Sequence, residues 1–169
     1  MNAVNVLEYG HEAVLQAIDN ISEIDWERPG ASGMWSVKDI LAHLTAYEYV
    51  LIDALYRLRG GKSTPTLDRW LADAEAFDRQ EVELRHDDSV DDLLAEYREA
   101  HAETISQIIR IPQESLRQGS TFPWYGEARD IEDFITYASY GHKREHAAQI
   151  AAYREHLAAE PVWKMREAS

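Results

Sequence analysis

"DIEDFITYASYGHKREHAAQIAAYREHL", residues 130–157, decides how this chain of 169 residues is read. Ile131, Phe134, Ile135, Ala138, Ile150, Tyr153 and Leu157 recur at three- and four-residue intervals, the period of an amphipathic helix capped by Asp130. His142 and His146 fall on the same stripe, so their rings sit about one turn apart and face the core. Buried imidazoles need partners, and a pair at this spacing can clamp one metal ion at about 2.1 Å. The alternative is two core histidines bonded to backbone carbonyls or carboxylates.

The helical period extends to the rest of the chain. Residues 3–23 carry Val4, Leu7, His11, Val14, Leu15, Ile18 and Ile21 on one face. "ERPGASG" (27–33) interrupts the pattern, and Ser36 with Asp39 has the spacing of a capping box opening a helix to about Arg59. After "RGGKSTP", residues 67–86 read as one further amphipathic helix through Leu67, Trp70, Leu71, Ala74 and Phe77. Ser89 with Asp92 is a second capping-box pattern, opening a helix that uses Val90, Leu93, Leu94, Tyr97, Ile105 and Ile108. Residues 111–129 are rich in turn formers and read as a long loop exposing Trp124 and Tyr125. No useful strand-like alternation occurs. The expectation is an all-α protein: one domain over 1–169, a four-helix bundle with an extra helical segment between its second and third helices.

Composition narrows the function. Hydrophobic residues make up 45% and charged residues 28%, as in ordinary globular proteins. The formal net charge of −14, with basic residues scattered, argues against nucleic acid and anionic membranes as partners. No apolar run approaches the roughly 18 residues of a membrane span. "MNAVNVLEYGHEAVLQAIDN" lacks the basic and apolar regions of a signal peptide, so the expected location is the cytoplasm. Cysteine is absent, which removes disulfides, thiolate ligands and a cysteine nucleophile.

Two histidines seldom hold a divalent ion firmly. His11, His43 and His101 each lie on or beside an apolar face of a different helix, and pattern alone does not choose a third ligand among them. His86, beside two aspartates, reads as solvated and His156 as surface. "HKREH" also fits H-x-x-E-H, a metalloprotease pattern in which Glu145 would be general base. That chemistry needs an acidic ligand well downstream, whereas Glu155 belongs to the same helix, so the match is set aside.

"WSVKDILAHLTAYE" (35–48) together with "GHKREHAAQIAAYREHL" (141–157) resembles the DinB/DfsB-like superfamily. "RWLADAEAFDRQEVE" and "LLAEYREAHAETISQI" extend the likeness over nearly the whole chain. The resemblance implies a four-helix bundle, commonly a homodimer, holding a divalent metal (Zn, Ni, Fe or Mn) with one histidine of the second helix and an H-x3-H pair of the fourth. Carried over, these ligands are His43, His142 and His146, leaving His11 and His101 as core or cavity-lining residues with hydrogen-bond partners. An ion with three imidazole ligands keeps open positions, where it acidifies water or stabilises a substrate thiolate.

The resemblance therefore implies a metal-dependent enzyme acting on a small molecule, such as an S-transferase or detoxification enzyme using a low-molecular-weight thiol. The alternative is a non-catalytic metal-binding or stress-related protein whose site is structural or empty. Tyr47, Glu48 and Glu145 are the acid–base candidates, each with packing or surface pairing as the plainer role. Gln149 is placed to orient His146 or line the pocket, and Trp35 and Trp124 to form an aromatic rim.

Overall fold

The computed structural model describes residues 2–119, 122, 124–126 and 128–159. Along the chain come α1 (Ala3–Ile18), α2 (Glu23–Trp26), α3 (Val37–Leu58), α4 (Pro65–Ala72), α5 (Ala74–Leu84), α6 (Val90–Ile108), α7 (Gln113–Leu116), α8 (Ile131–Phe134), a π-helical turn (Ile135–Gly141) and α9 (His142–Ala159). The protein is a helical bundle with no strand among the described residues. An isolated bridge joins Ser32 to Trp35. In the packing, α3 lies along α6, while α1 lies along α9 and the π-helical turn. No described helix is long and apolar enough to cross a membrane.

Local chemistry accounts for the boundaries. Ser36 and Asp39 form the full reciprocal capping box at α3. At α6 Ser89 accepts from the Asp92 backbone, but the return bond is absent. The first helix is shorter than the sequence period implies. It stops at Ile18 because Asn20 takes a left-handed φ of 57°, and Ser22 then caps the short α2 that buries Trp26.

The single helix expected over 67–86 is two. Asp73 has extended backbone and accepts from the Ala76 N–H, ending α4 and starting α5. Asp53 of α3 accepts from the Thr66 and Leu67 N–H groups and so fastens α4 to α3. The expected loop after α6 contains α7, and Trp124 and Tyr125 are half-buried rather than exposed. They pack with Phe122 and Phe134, supplying the apolar cover that a loop reading omits.

The core has two apolar clusters. One gathers Leu7, Ala46, Leu51, Leu55, Phe77, Ile131 and Ile135; the other gathers Val14, Ile40, Leu41, Leu44, Leu93, Tyr97, Ile150 and Tyr153. α1, α3 and α6 each pass from one cluster to the other, as does the run from α8 through the π-helical turn into α9, and near each crossing the chain carries polar side chains. These are His11 on α1, His43 and Glu48 on α3, His101 and Thr104 on α6, and His142, Lys143 and His146 on α9. A polar layer thus divides the core.

The π-helical turn shifts the face that α9 presents. In straight α-helical register Ala138 and His142 continue the buried stripe. Instead Ser139 and Lys143 are buried, and His142 is half-buried at the edge.

Candidate metal centre

His43, on the second turn of the capped helix α3, meets His142 and His146 from the first turn and a half of α9. The Nε2 atoms of His43 and His142 are 2.8 Å apart, and those of His142 and His146 are 3.0 Å apart. His43 is 4% exposed and His146 8%, so bulk water does little to separate these nitrogens electrostatically. Burial, followed by the neighbouring imidazoles His43 and His146, drives the pKa of His142 down to about 2. Burial and His43 also lower that of His146. The rings of His142 and His146 are therefore neutral at physiological pH.

Neutral rings expose the character of this donor set. Gln149 Oε1 lies 2.8 Å from His146 Nδ1, and because an amide oxygen only accepts, His146 carries its proton on Nδ1. Its Nε2 is then a lone pair aimed at His142. A single N–H between three converging Nε2 atoms cannot satisfy all of them, whereas one cation can. The residues present fit a divalent ion.

Aromatic side chains close around the nitrogens. The Tyr47 ring lies 4.6 Å from that of His43 and 4.5 Å from that of His142. Its hydroxyl accepts from Trp70 Nε1–H at 3.1 Å, and burial, then the Asp78 carboxylate, raise its pKa to about 12. Tyr47 is therefore a proton donor in hydrogen bonds throughout the physiological range. Trp35 is 4.9 Å from the His43 ring, held there by a turn in which the Trp35 N–H bonds Ser32 O at 3.0 Å and Gly33 takes a φ of 59°.

Other sequence candidates lie elsewhere. Trp124 stacks on Phe122 in the first apolar cluster, with its ring under Arg57. Glu145 is exposed, on the outer side of α9. Glu48, 1% exposed, points away from the three nitrogens into a second group with His11 and His101. Its Oε1 is 3.2 Å from His101 Nδ1, its Oε2 accepts from Thr104 at 2.7 Å, and it forms a buried ion pair with Lys143.

Burial opposes ionisation of Glu48, yet the Lys143 ammonium and His101 hold its pKa down to about 2. His11 stacks on His101 at 3.9 Å, and its buried Nδ1 has no hydrogen-bond partner among the described residues, against the expectation of one. The ammonium of Lys143 already occupies the cation role in this second group.

Two participants escaped the sequence reading. Lys143 is 3% exposed and lies between the paired histidines in sequence; a charge inside "HKREH" reads as solvated unless the π-helical turn is known. Asp78 of α5 lies 3.4 Å from His43 Nδ1, and nothing in its own segment distinguishes it from the surrounding acids.

A family model described as the DinB superfamily matches residues 7–150. No curated protein gives a significant match. A crystal structure of a protein from Streptococcus pneumoniae is similar with a TM-score of 0.75 at 14% identity, covering 90% of this chain and 88% of that one. At that identity the likeness concerns the fold.

Proposed function

Because the chain belongs to the DinB superfamily, we propose that its four long helices form that family's four-helix bundle and that His43, His142 and His146 hold one divalent ion for chemistry on a small molecule. The observation that carries the reading is the meeting of three Nε2 atoms from α3 and α9, two contacts at 2.8 and 3.0 Å, with too few protons to bond one another. Zn, Ni, Fe and Mn all accept nitrogen-rich ligation. When bound, such an ion supplies a Lewis acid with open positions, suited to stabilising an anionic thiolate.

The chain's own groups prepare the site. Gln149 fixes the His146 ring, Tyr47 offers a hydroxyl beside His43 and His142, and Trp35 covers the His43 edge. These features support a thiol-dependent S-transferase or detoxification activity, with a low-molecular-weight thiol and an electrophile as the substrates. A panel of such thiols and electrophiles, assayed with metal-loaded protein and with His142→Ala, tests this. Metal-dependent conjugation that disappears in the variant supports the enzyme; no turnover with any pair opposes it.

The near-complete burial of His43 and His146 favours a second reading, a metal-stabilised scaffold without turnover. In that case His142→Ala lowers the melting temperature of the loaded protein and changes nothing else.

A further inference from the structure

The strongest remaining signal is a pair of buried polar atoms that lack any other partner. His43 Nδ1 and Asp78 Oδ1 are both buried and without a hydrogen bond of full geometry among the described residues. They face each other at 3.4 Å, a gap that a small rotation of the aspartate closes. We propose that Asp78 is the positioning residue of the metal centre: its carboxylate holds the proton of His43 on Nδ1 and thereby turns the Nε2 lone pair towards His142 and His146. The inference rests on the metal-site reading above and explains how the third ring is set.

The surrounding bonds give the chain of donors one direction. Trp70 Nε1–H donates to the Tyr47 oxygen, and the Tyr47 hydroxyl is left to donate onwards, with the Asp78 carboxylate near enough to raise its pKa. A carboxylate oxygen accepts and does not donate, so the remaining partner, His43 Nδ1, must be the donor. Gln149 does the same for His146 from within α9, at 2.8 Å. Two of the three rings are thus preset from outside the ligand sphere, one by an amide and one by a carboxylate. A carboxylate behind a ligating imidazole also raises the basicity of the ring and adds a negative charge to a site whose ligands are all neutral.

Asp78 can serve this way because α5 is firmly anchored. Phe77, its neighbour, is 1% exposed in the first apolar cluster. One turn on, Glu81 pairs with Arg85, whose guanidinium forks onto Glu96 of α6 through two bonds of 2.9 Å. The helical segment between α3 and α6 therefore brings a specific carboxylate to the metal centre in addition to covering the bundle.

The test compares Asp78→Ala and Asp78→Asn with the parent protein, using 15N-histidine spectra of metal-free protein and competitive titration with Zn(II) alone. His43 in the parent should carry its proton on Nδ1. Asp78→Ala should lose that preference and weaken Zn(II) binding about 10- to 100-fold, while Asp78→Asn, whose side-chain oxygen still accepts, should restore the tautomer and part of the affinity. Asp78 sits on a helix with its side chain 26% exposed, so both variants are expected to keep the fold, and far-ultraviolet circular dichroism checks it. An unchanged His43 tautomer in Asp78→Ala, or Zn(II) affinity within twofold of the parent, overturns the proposal. Failure of the parent to bind Zn(II) would instead count against the metal site, since the tautomer is read without metal.

Discussion

Two histidine groups share one polar layer, and they differ in where their positive charge comes from. In the first, His43, His142 and His146 turn Nε2 atoms on one another with no cationic side chain between them. In the second, His11, His101 and Glu48 surround a cation the chain itself provides, the Lys143 ammonium. Adjacent residues on α9 serve the two groups: His142 goes to one and Lys143 to the other. A cluster of metal-type ligands is therefore no metal site by composition alone. The decisive question is whether a cation is already in place: in the second group the Lys143 ammonium pairs with Glu48 and leaves only His11 Nδ1 without a partner among the described residues, whereas in the first the converging Nε2 lone pairs face no positive charge.

This contrast predicts different responses to damage. The largest effect belongs to the second group. Glu48→Gln leaves Lys143 buried without its counter-charge and should cost about 3–5 kcal/mol of stability by denaturant unfolding, with or without metal. Loss below about 1 kcal/mol would mean that the pair is not buried as described. Next comes the first group. At free metal near 100 times Kd, binding should stabilise the protein by about 2.7 kcal/mol, a rise in Tm on the order of 5–10 °C. His142→Ala should abolish that rise and barely move the Tm of the metal-free protein.

Acid should affect both groups in the same direction. The imidazoles of His11 and His142 are lowered from the ordinary 6.5 to about 3 and about 2, burial being the first cause of each. Below pH 6.5 the unfolded chain takes up protons that the folded one refuses, so stability falls as pH falls. Glu48 adds to this. Its folded pKa of about 2 against the usual 4.5 gives a contribution present above 4.5 and lost as the pH drops towards 2. Unfolding free energies of metal-free protein should therefore decline steadily from neutrality to pH 4; a flat profile over that interval contradicts the buried, neutral state of the rings. Glu145→Gln gives the smallest effect. Glu145 is exposed, and a change beyond about 0.5 kcal/mol in stability would show a partner that the structure does not.

Much of this was legible because it depends on local signals. The three-and-four spacing of apolar residues marked the long helices, and the Ser36–Asp39 box fixed the start of α3 two turns before His43. The H-x3-H pair, with the likeness of "LAHL" to the family motif, placed three imidazoles that the structure brings to one point. What sequence missed depends on register and on distant neighbours. The π-helical turn at Ile135–Gly141 rotates Lys143 into the core, and no residue type in "ITYASYG" announces it. Glu48 read as a partner of the metal site because it lies, like Tyr47, about one turn along from His43, yet one residue along α3 turns a side chain by about 100°, enough to send it to the other group. Asp78 depends on the break at Asp73, which a continuous amphipathic pattern hides.

Metal content per chain tests the central claim most directly. Elemental analysis of protein purified without added metal, and of the same protein after saturation with Zn(II) and removal of excess, should give one bound ion per chain at saturation and none in His142→Ala. Saturated parent protein that retains no ion, or a His142→Ala variant that retains as much as the parent, would contradict the account.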